Sequence, residues 1–442
     1  MTKYSSVRSH MLRAMAVFGL GTLGFQTHAA VDTTPTHYIE VETKDRDDRS
    51  LVARAGYAID EVRSDKVFFM GTLDDVKRIE RLNLRARARP LQERWFTMDT
   101  SPSAARYTTY AEVAEQLKAL EASNTSLVTL MSLGSTGEGR DVPMVRISSK
   151  SLAQAESEKL PVVFYMGCHH AREHLSVEVP LLYAKHLVAQ YATNPDIKRL
   201  LDTREVYIAP MVNPDGHVFD YRNGIRGAMW RKNRRNNGDG SFGVDLNRNY
   251  GWGWGTGGSS TDTRSDVYMG TAPFSEVETQ NVKHFVDTQP RMTTLLSTHT
   301  FSELILYPWG GTYDKIGEKQ GDPADLPVFE KMARDMSAWN KYTPQQSSDL
   351  YIASGDTTDW AYGTHGIYAF TFELSPTSMW NGGFYPSPSV IEPTFNANLK
   401  PFLYMLEFAD NPKRVLTEKI PNFLQTPINV GIGIASAQDL QL

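Results

Sequence analysis

The stretch "GCHHAREHLSVE", residues 167–178, sets His169, His170, Glu173 and His174 close together. Imidazole nitrogens and carboxylate oxygens are the ligand types of a zinc site. A His-x-x-Glu pair by itself decides little, since among 11 histidines there is about an even chance of one arising by accident. Its surroundings say more. The pair follows the apolar run "LPVVFYM", and Ser176 and Pro180 come after it. Proline is tolerated only in the first turn of a helix, so the pair belongs in a strand-to-helix turn. This counts against reading "HAREH" as a helical His-x-x-Glu-His pattern, in which His170 and His174 would both bind metal and Glu173 would be the base.

Other elements must bring partners to that turn. "LPVVFYM", "REVYIAPMV", "TTLLST" and "IYAFTFEL" are strand candidates, apolar on both faces, and alternate with helical stretches such as "LLYAKHLVAQYA" and "SEVETQNVKHFVDT". Ser275 and Glu278 read as a capping box for the latter. This alternation predicts an α/β fold whose central sheet is mixed and mostly parallel, with helices on both faces and ligands gathering at the carboxyl ends of the strands. Three candidate strands end in polar groups: His169 and His170, then His299, then Glu373. An amphipathic helix, "AEVAEQLKALEAS", and a hairpin signal at "GSTGEGRDVP" open this larger domain. A last apolar helix, "FLYMLEFA", closes it before a tail of unassigned role, 411–442.

Residues 37–84 form a separate small pattern: a strand "HYIEVET", a helix "RSLVARAG", two strands in "YAIDEVRSDKVFFMGT" and a helix "LDDVKRIERLNL". The segment "RARARPLQERW" then reads as an exposed linker open to a trypsin-like protease. Residues 1–30, with Lys3, Arg8 and Arg13 before "AMAVFGLGTLGF" and "THAA", read as a secretory signal; the apolar run is too short for a membrane anchor. A net charge of -5 argues against nucleic acid as a partner. Cys168 is the single cysteine, so the chain can form no internal disulfide, and Cys168 reads as a buried small hydrophobe.

The motifs "GCHHARE", "MWRKNR", "GVDLNRNY", "STHTFSELILYPWG", "YIASGDTTDWAY" and "FTFEL", in this order, resemble those of zinc metallocarboxypeptidases of the carboxypeptidase A/B type, nearest in pattern to bacterial carboxypeptidase T-like members. The resemblance covers roughly residues 107–410. It implies one zinc ion per chain, held by His170, Glu173 and His299, with Asp245 accepting the other N–H of a ligand histidine. It implies Glu373 as general base and Arg231 as the group that polarises the scissile carbonyl. Asn247 and Arg248 would clamp a terminal carboxylate, Tyr351 would close over the terminal residue, and Arg172 would position substrate further from the cut. Thr358 and Asp356 would line the side-chain pocket, giving apolar and aromatic preference with some acceptance of basic residues. Phe301 departs from the tyrosine of related animal enzymes.

Taken alone, Glu373 is also an ordinary ion-paired strand residue, Arg231 a solvated charge, and "NRN" a surface turn. The expected protein is thus a secreted or periplasmic monomer that acts on peptide and protein carboxyl termini. Its residues 31–106 resemble in position a propeptide, removed by a protease cutting among Arg85, Arg87, Arg89 and Arg94. The alternatives are a peptidoglycan-trimming amidase of the same fold and an inactive binding protein on this scaffold.

Overall fold

The computed structural model describes residues 37–91, 107–221 and 229–428; the expected signal and Arg94 lie outside the described residues. The first part contains β1 (His37–Glu42), α1 (Arg46–Arg54), β2 (Glu61–Arg63), β3 (Lys66–Gly71), α2 (Leu73–Glu80) and β4 (Ala86–Pro90). Its strands pair antiparallel in the order β2-β3-β1-β4. Alternation puts Ile39 and Val41 of β1 and Val67 and Phe69 of β3 on one face, where Val52 of α1 and Ile79 of α2 complete a small core.

The arginine-rich segment is therefore no linker at residues 86–90. It is an edge strand paired with β1: Ala86 and Ala88 pack on the small core, while Arg87 and Arg89 reach Glu40 at 3.2 and 2.5 Å. Two alanines in the inward positions carry too little hydrophobic contrast to reveal a period of two.

From Tyr107 a larger layered structure begins. α3 (Tyr110–Ala122) starts at Thr109, whose N–H donates to the Glu112 carboxylate at 2.8 Å while the Glu112 N–H returns a bond to Thr109 Oγ1 at 3.4 Å. A reciprocal cap of this kind is worth about 1 kcal/mol. There follow β5 (Val128–Ser135), β6 (Asp141–Ile147), α4 (Leu152–Ser157), β7 (Val162–Gly167), α5 (Leu175–Gln190), α6 (Pro195–Thr203), β8 (Glu205–Ala209), α7 (Pro214–Tyr221) and α8 (Val277–Asp287). The chain continues with β9 (Met292–Thr300), β10 (Leu304–Tyr307), α9 (Leu326–Asn340), β11 (Thr343–Gln346), α10 (Thr357–His365), β12 (Tyr368–Leu374), α11 (Ile391–Glu407) and α12 (Asn422–Gln425).

These eight strands form one sheet in the order β11-β10-β12-β9-β7-β8-β6-β5. Four of the seven pairings are parallel, which gives the mixed, mostly parallel sheet expected. Both faces are covered. Val163 and Tyr165 of β7 join the core built with α5, α9 and α11, and Val162, Phe164 and Met166 join the opposite core with α8 and α10. Val415 and Leu424, in the expected tail, are buried in the first of these cores. No helix among the described residues is long and apolar enough to cross a membrane.

Two local expectations fail for tertiary reasons. α5 runs through Pro180, which normally costs about 3 kcal/mol in a helix interior. Here the Ser176 carbonyl left without a partner by the missing Pro180 N–H accepts a hydrogen bond from Thr298 Oγ1 at 2.8 Å. A Cβ on Gly167 would stand 2.1 Å from that same carbonyl, so glycine lets the end of β7 and the start of α5 meet. The helix starts only at Leu175, and His170 and Glu173 do precede it, in a turn. The Ser275–Glu278 capping box does not form: α8 begins after Glu276, because Asn249 Nδ2 holds Ser275 at 3.0 Å and Asn233 Nδ2 holds Glu278 at 3.1 Å.

Candidate active site

β7, β9 and β12 lie side by side, with Gly167 paired to Thr298 and Glu373 to His299. Their carboxyl ends deliver His170 and Glu173, from the turn after β7, next to His299. The Nδ1 of His170 lies 2.7 Å from Glu173 Oε1, and the Nδ1 of His299 lies 2.9 Å from Glu173 Oε2. The two Nδ1 atoms are 3.1 Å apart, and all three residues are buried. Their far nitrogens are occupied: His170 Nε2 is 3.1 Å from Asp245 Oδ1 and His299 Nε2 is 3.1 Å from Ser297 Oγ. Asp245, which can only accept, fixes the His170 proton on Nε2 and turns its Nδ1 lone pair inward, and the Ser297 hydroxyl can accept the His299 Nε2–H in the same way. Two nitrogens and a carboxylate whose ligand atoms lie within 4.8 Å of one another fit a zinc ion with a fourth position left open.

Asp245 organises the floor. One oxygen takes His170 and the Asn247 N–H at 3.0 Å; the other takes Arg231 Nε and Nη2 at 3.1 and 2.9 Å. Arg231 Nη1 is thereby held 4.0 Å from Glu173 Oε1. Burial works against the Arg231 charge, yet Asp245 and Glu173 outweigh it and raise its pKa above the ordinary value. Glu373 faces the same cleft, of about 420 Å³. Burial, and then the Glu173 charge, push its carboxyl well up.

The remaining expected residues also line this cleft, Arg172 excepted. Asn247 Oδ1 accepts the Thr357 N–H at 3.0 Å, and Arg248 is anchored through Nε to the Gly258 carbonyl and through Nη1 to the Asn247 carbonyl. Thr358 gives its N–H and hydroxyl to Asp356 Oδ1; Asp356 Oδ2 is buried with no hydrogen-bond partner among the described residues. Tyr351 donates to the Ile59 carbonyl at 3.4 Å. Phe301 packs on Phe384 at 4.9 Å between ring centres.

Arg172 is turned to the amino-terminal unit: its Nη2 donates to Asp60 Oδ1 at 2.6 Å, and its guanidinium lies 4.0 Å over the Phe384 ring. Burial pushes the Asp60 carboxyl up to about 6 despite Arg172 beside it. His174 is not part of the ligand set. Its Nε2 lies 2.7 Å from Asp220, which disposes of the His-x-x-Glu-His alternative. Cys168 is fully buried, and burial pushes its thiol up.

Asp60, Phe384 and Thr357 escaped sequence reasoning, because no local pattern ties them to the site. Ser297 could have been found: it lies two residues before His299 on a strand and so shares its face.

A profile of the zinc carboxypeptidase family matches residues 113–401. The chain belongs to the zinc carboxypeptidase family. Over 288 residues it is 36% identical to a zinc carboxypeptidase of Saccharothrix mutabilis subsp. capreolus, covering 64% of this chain and 65% of that one. Over 263 residues it is 31% identical to mouse (Mus musculus) carboxypeptidase A4, covering 59% and 60%. The match thus spans somewhat under two thirds of these relatives' length. Among solved structures, the fold is similar to that of carboxypeptidase A from Helicoverpa armigera, with a TM-score of 0.72 and 23% identity over 87% of this chain and 99% of that one. It is also similar to that of thrombin activatable fibrinolysis inhibitor, with a TM-score of 0.67 and 23% identity over 86% and 99%. Zinc is the metal of this family, and His170, Glu173 and His299 are the residues that would hold it.

Proposed function

We propose that this zinc carboxypeptidase is exported and removes single amino acids from the carboxyl ends of peptides and proteins, with residues 31–106 acting as a removable inhibitory segment. One observation carries the reading: His170 and Glu173, which converge with His299, line the same cleft as Glu373, Arg231 and the Asn247–Arg248 pair. Zinc bound by the three would acidify a water and offer positive charge to a developing oxyanion. Glu373 takes a proton from water and hands it to the leaving amine, a role suited to a carboxyl pushed upward by burial. Arg231, oriented by Asp245, donates to the scissile carbonyl oxygen as it becomes negative. Asn247 and Arg248 grip the free terminal carboxylate; a guanidinium can do this with two parallel bonds that a lysine lacks. Tyr351 closes over the terminal residue, and Arg172 contacts substrate beyond the cut.

Thr358 and Asp356 shape the pocket for the terminal side chain, which takes apolar and aromatic residues and admits basic ones at the unpartnered Asp356 Oδ2. A Cβ on Gly310 would stand 3.1 Å from that oxygen, so a missing side chain keeps the room.

Latency is supported by what the amino-terminal unit occupies. Asp60 takes Arg172, the Ile59 carbonyl takes the Tyr351 hydroxyl, and Arg49 donates to the Leu350 and Asp349 carbonyls at 2.6 and 2.8 Å. Arg87 and Arg89 are bound into β4, where cleavage would require unpairing the strand. Arg94, further along the chain, is the favoured bond.

The test uses the full-length chain with zinc, before and after limited trypsin treatment, on peptides that differ only in the last residue or end in an amide. Release of the last residue alone, from free acids and not from amides, abolished by a chelator and increased by trypsin, is expected. Internal cleavage, or equal action on amides, overturns the exopeptidase reading. Active exported protein beginning at Ala30 or Val31 overturns the latency.

A further inference from the structure

His169 stands next to a metal-binding residue, yet its ring nitrogens face Tyr250, Thr357 and Ser297, buried polar groups that the mechanism above does not use. One donor in that row is unambiguous. The Thr357 backbone N–H can only donate, and it lies 3.0 Å from Asn247 Oδ1, which fixes the Asn247 amide with its NH2 group turned elsewhere. The Thr357 hydroxyl donates to the same Oδ1 at 2.9 Å. With its proton so placed, Thr357 Oγ1 is an acceptor for His169 Nε2–H at 3.2 Å, an N–H shared with the Tyr250 hydroxyl at 2.8 Å. A neutral ring protonated at Nε2 has its lone pair at Nδ1, which accepts from Ser297 Oγ at 3.2 Å. Ser297 Oγ in turn accepts from His299 Nε2–H at 3.1 Å, and His299 is left with its Nδ1 lone pair facing Glu173 and His170.

We propose that His169 is a positioning residue that joins the metal-binding His299 to the carboxylate-gripping Asn247 through this single directed hydrogen-bond chain. His169, Ser297, Thr357 and Tyr250 are all at most 1% exposed, so water cannot substitute for a missing link. The His169 and His299 rings stack at 5.4 Å with 15° between their planes, so rotation of one is opposed by the other. The outcome is that the same proton arrangement that frees a nitrogen for the metal also presents the Asn247 NH2 group to a terminal carboxylate. The inference rests on the exopeptidase reading for its substrate end and on the donor set alone for its metal end.

The test compares His169→Leu, His169→Gln and Ser297→Ala in the full-length zinc-loaded chain. In His169→Leu and Ser297→Ala a competing chelator should extract zinc with 10- to 100-fold weaker retention, the range typical of lost partners of metal-binding histidines. His169→Gln, which keeps one acceptor and one donor, should restore most of it. After limited trypsin, the preference for free-acid over amidated peptides should fall about tenfold in His169→Leu, through KM more than kcat. It should also fall in Ser297→Ala, which touches no substrate. Retention and preference both equal to wild type in Ser297→Ala and His169→Leu overturn the proposal. Should His169→Leu fail to fold, Ser297→Ala decides alone. A wild type that releases no terminal residue sinks the exopeptidase reading instead, and zinc retention still judges the chain; an active wild type with unaffected variants sinks only the chain.

Discussion

In the four-stranded sheet Glu40 meets Lys66, Arg87 and Arg89, and beneath the cleft Asp245 meets His170 and Arg231. Both carboxylates are buried, but their surroundings differ. The cations around Glu40 are 23 to 64% exposed, so they keep their hydration, are screened by salt, and can stand in for one another. The His170 ring and the Arg231 guanidinium around Asp245 are 4 and 9% exposed, and each bond fixes a particular atom. The first arrangement holds a strand edge; the second sets the proton on an imidazole and the aim of a guanidinium. Charge near a buried carboxylate becomes positional information only when the partners are also removed from water.

The largest test of that contrast lies at Glu373, the proposed general base, which has no such hydrogen-bond partners among the described residues. Glu373→Gln should lower kcat by about 10²- to 10⁴-fold with zinc content unchanged, measured by steady-state kinetics and metal analysis; loss of zinc would make it a structural carboxylate. Asp245→Asn should weaken zinc retention and activity by about 10- to 100-fold, whereas Glu40→Gln should change neither. Equal effects on zinc would erase the comparison.

Asp356, with one unpartnered oxygen, gives an intermediate case. Asp356→Asn should cut kcat/KM on arginine-ending peptides by about tenfold, as expected for one lost charge-assisted contact, and leave leucine-ending ones nearly unchanged. The smallest effect is that of Glu40→Gln on stability, about 1 kcal/mol by denaturant titration, and it depends on pH. Burial opposes ionisation of Glu40, but Arg89 and Lys66 prevail and lower its pKa below the ordinary 4.5. A lowered folded-state pKa means the contribution is present above about pH 4.5 and lost as pH falls further. The variant and wild type should therefore converge in stability at acid pH, and divergence there would contradict the assignment.

Much of the fold was legible because parallel strands covered on both faces are continuous apolar runs, and "LPVVFYM", "TTLLST" and "IYAFTFEL" announced β7, β9 and β12. β4 and β11 were hidden. "ARARP" buries only alanines, and "TPQQ" is a polar edge strand whose pairing with β10 owes nothing to side-chain pattern. Helix ends were misjudged where distant groups intervened, as Thr298 does at Pro180 and Asn249 at Ser275. The residues at the cleft stood out by their chemical type in ordered motifs, whereas Asp60 did not, because its contact with Arg172 spans 112 positions.

The order of motifs along the chain determined which kinds of atoms this protein has available: imidazoles, carboxylates and guanidiniums at strand ends, and hence its family and its metal. What it could not determine was the direction of the bonds between them. A histidine has two tautomers and an amide two orientations, and the choice is made by whichever fixed donor the fold brings alongside. For Asn247 that donor is the backbone N–H of Thr357, set in place by the packing of α10 against β9 and β12, and the Thr357 hydroxyl on the same Oδ1 is the neighbour that His169 Nε2 meets.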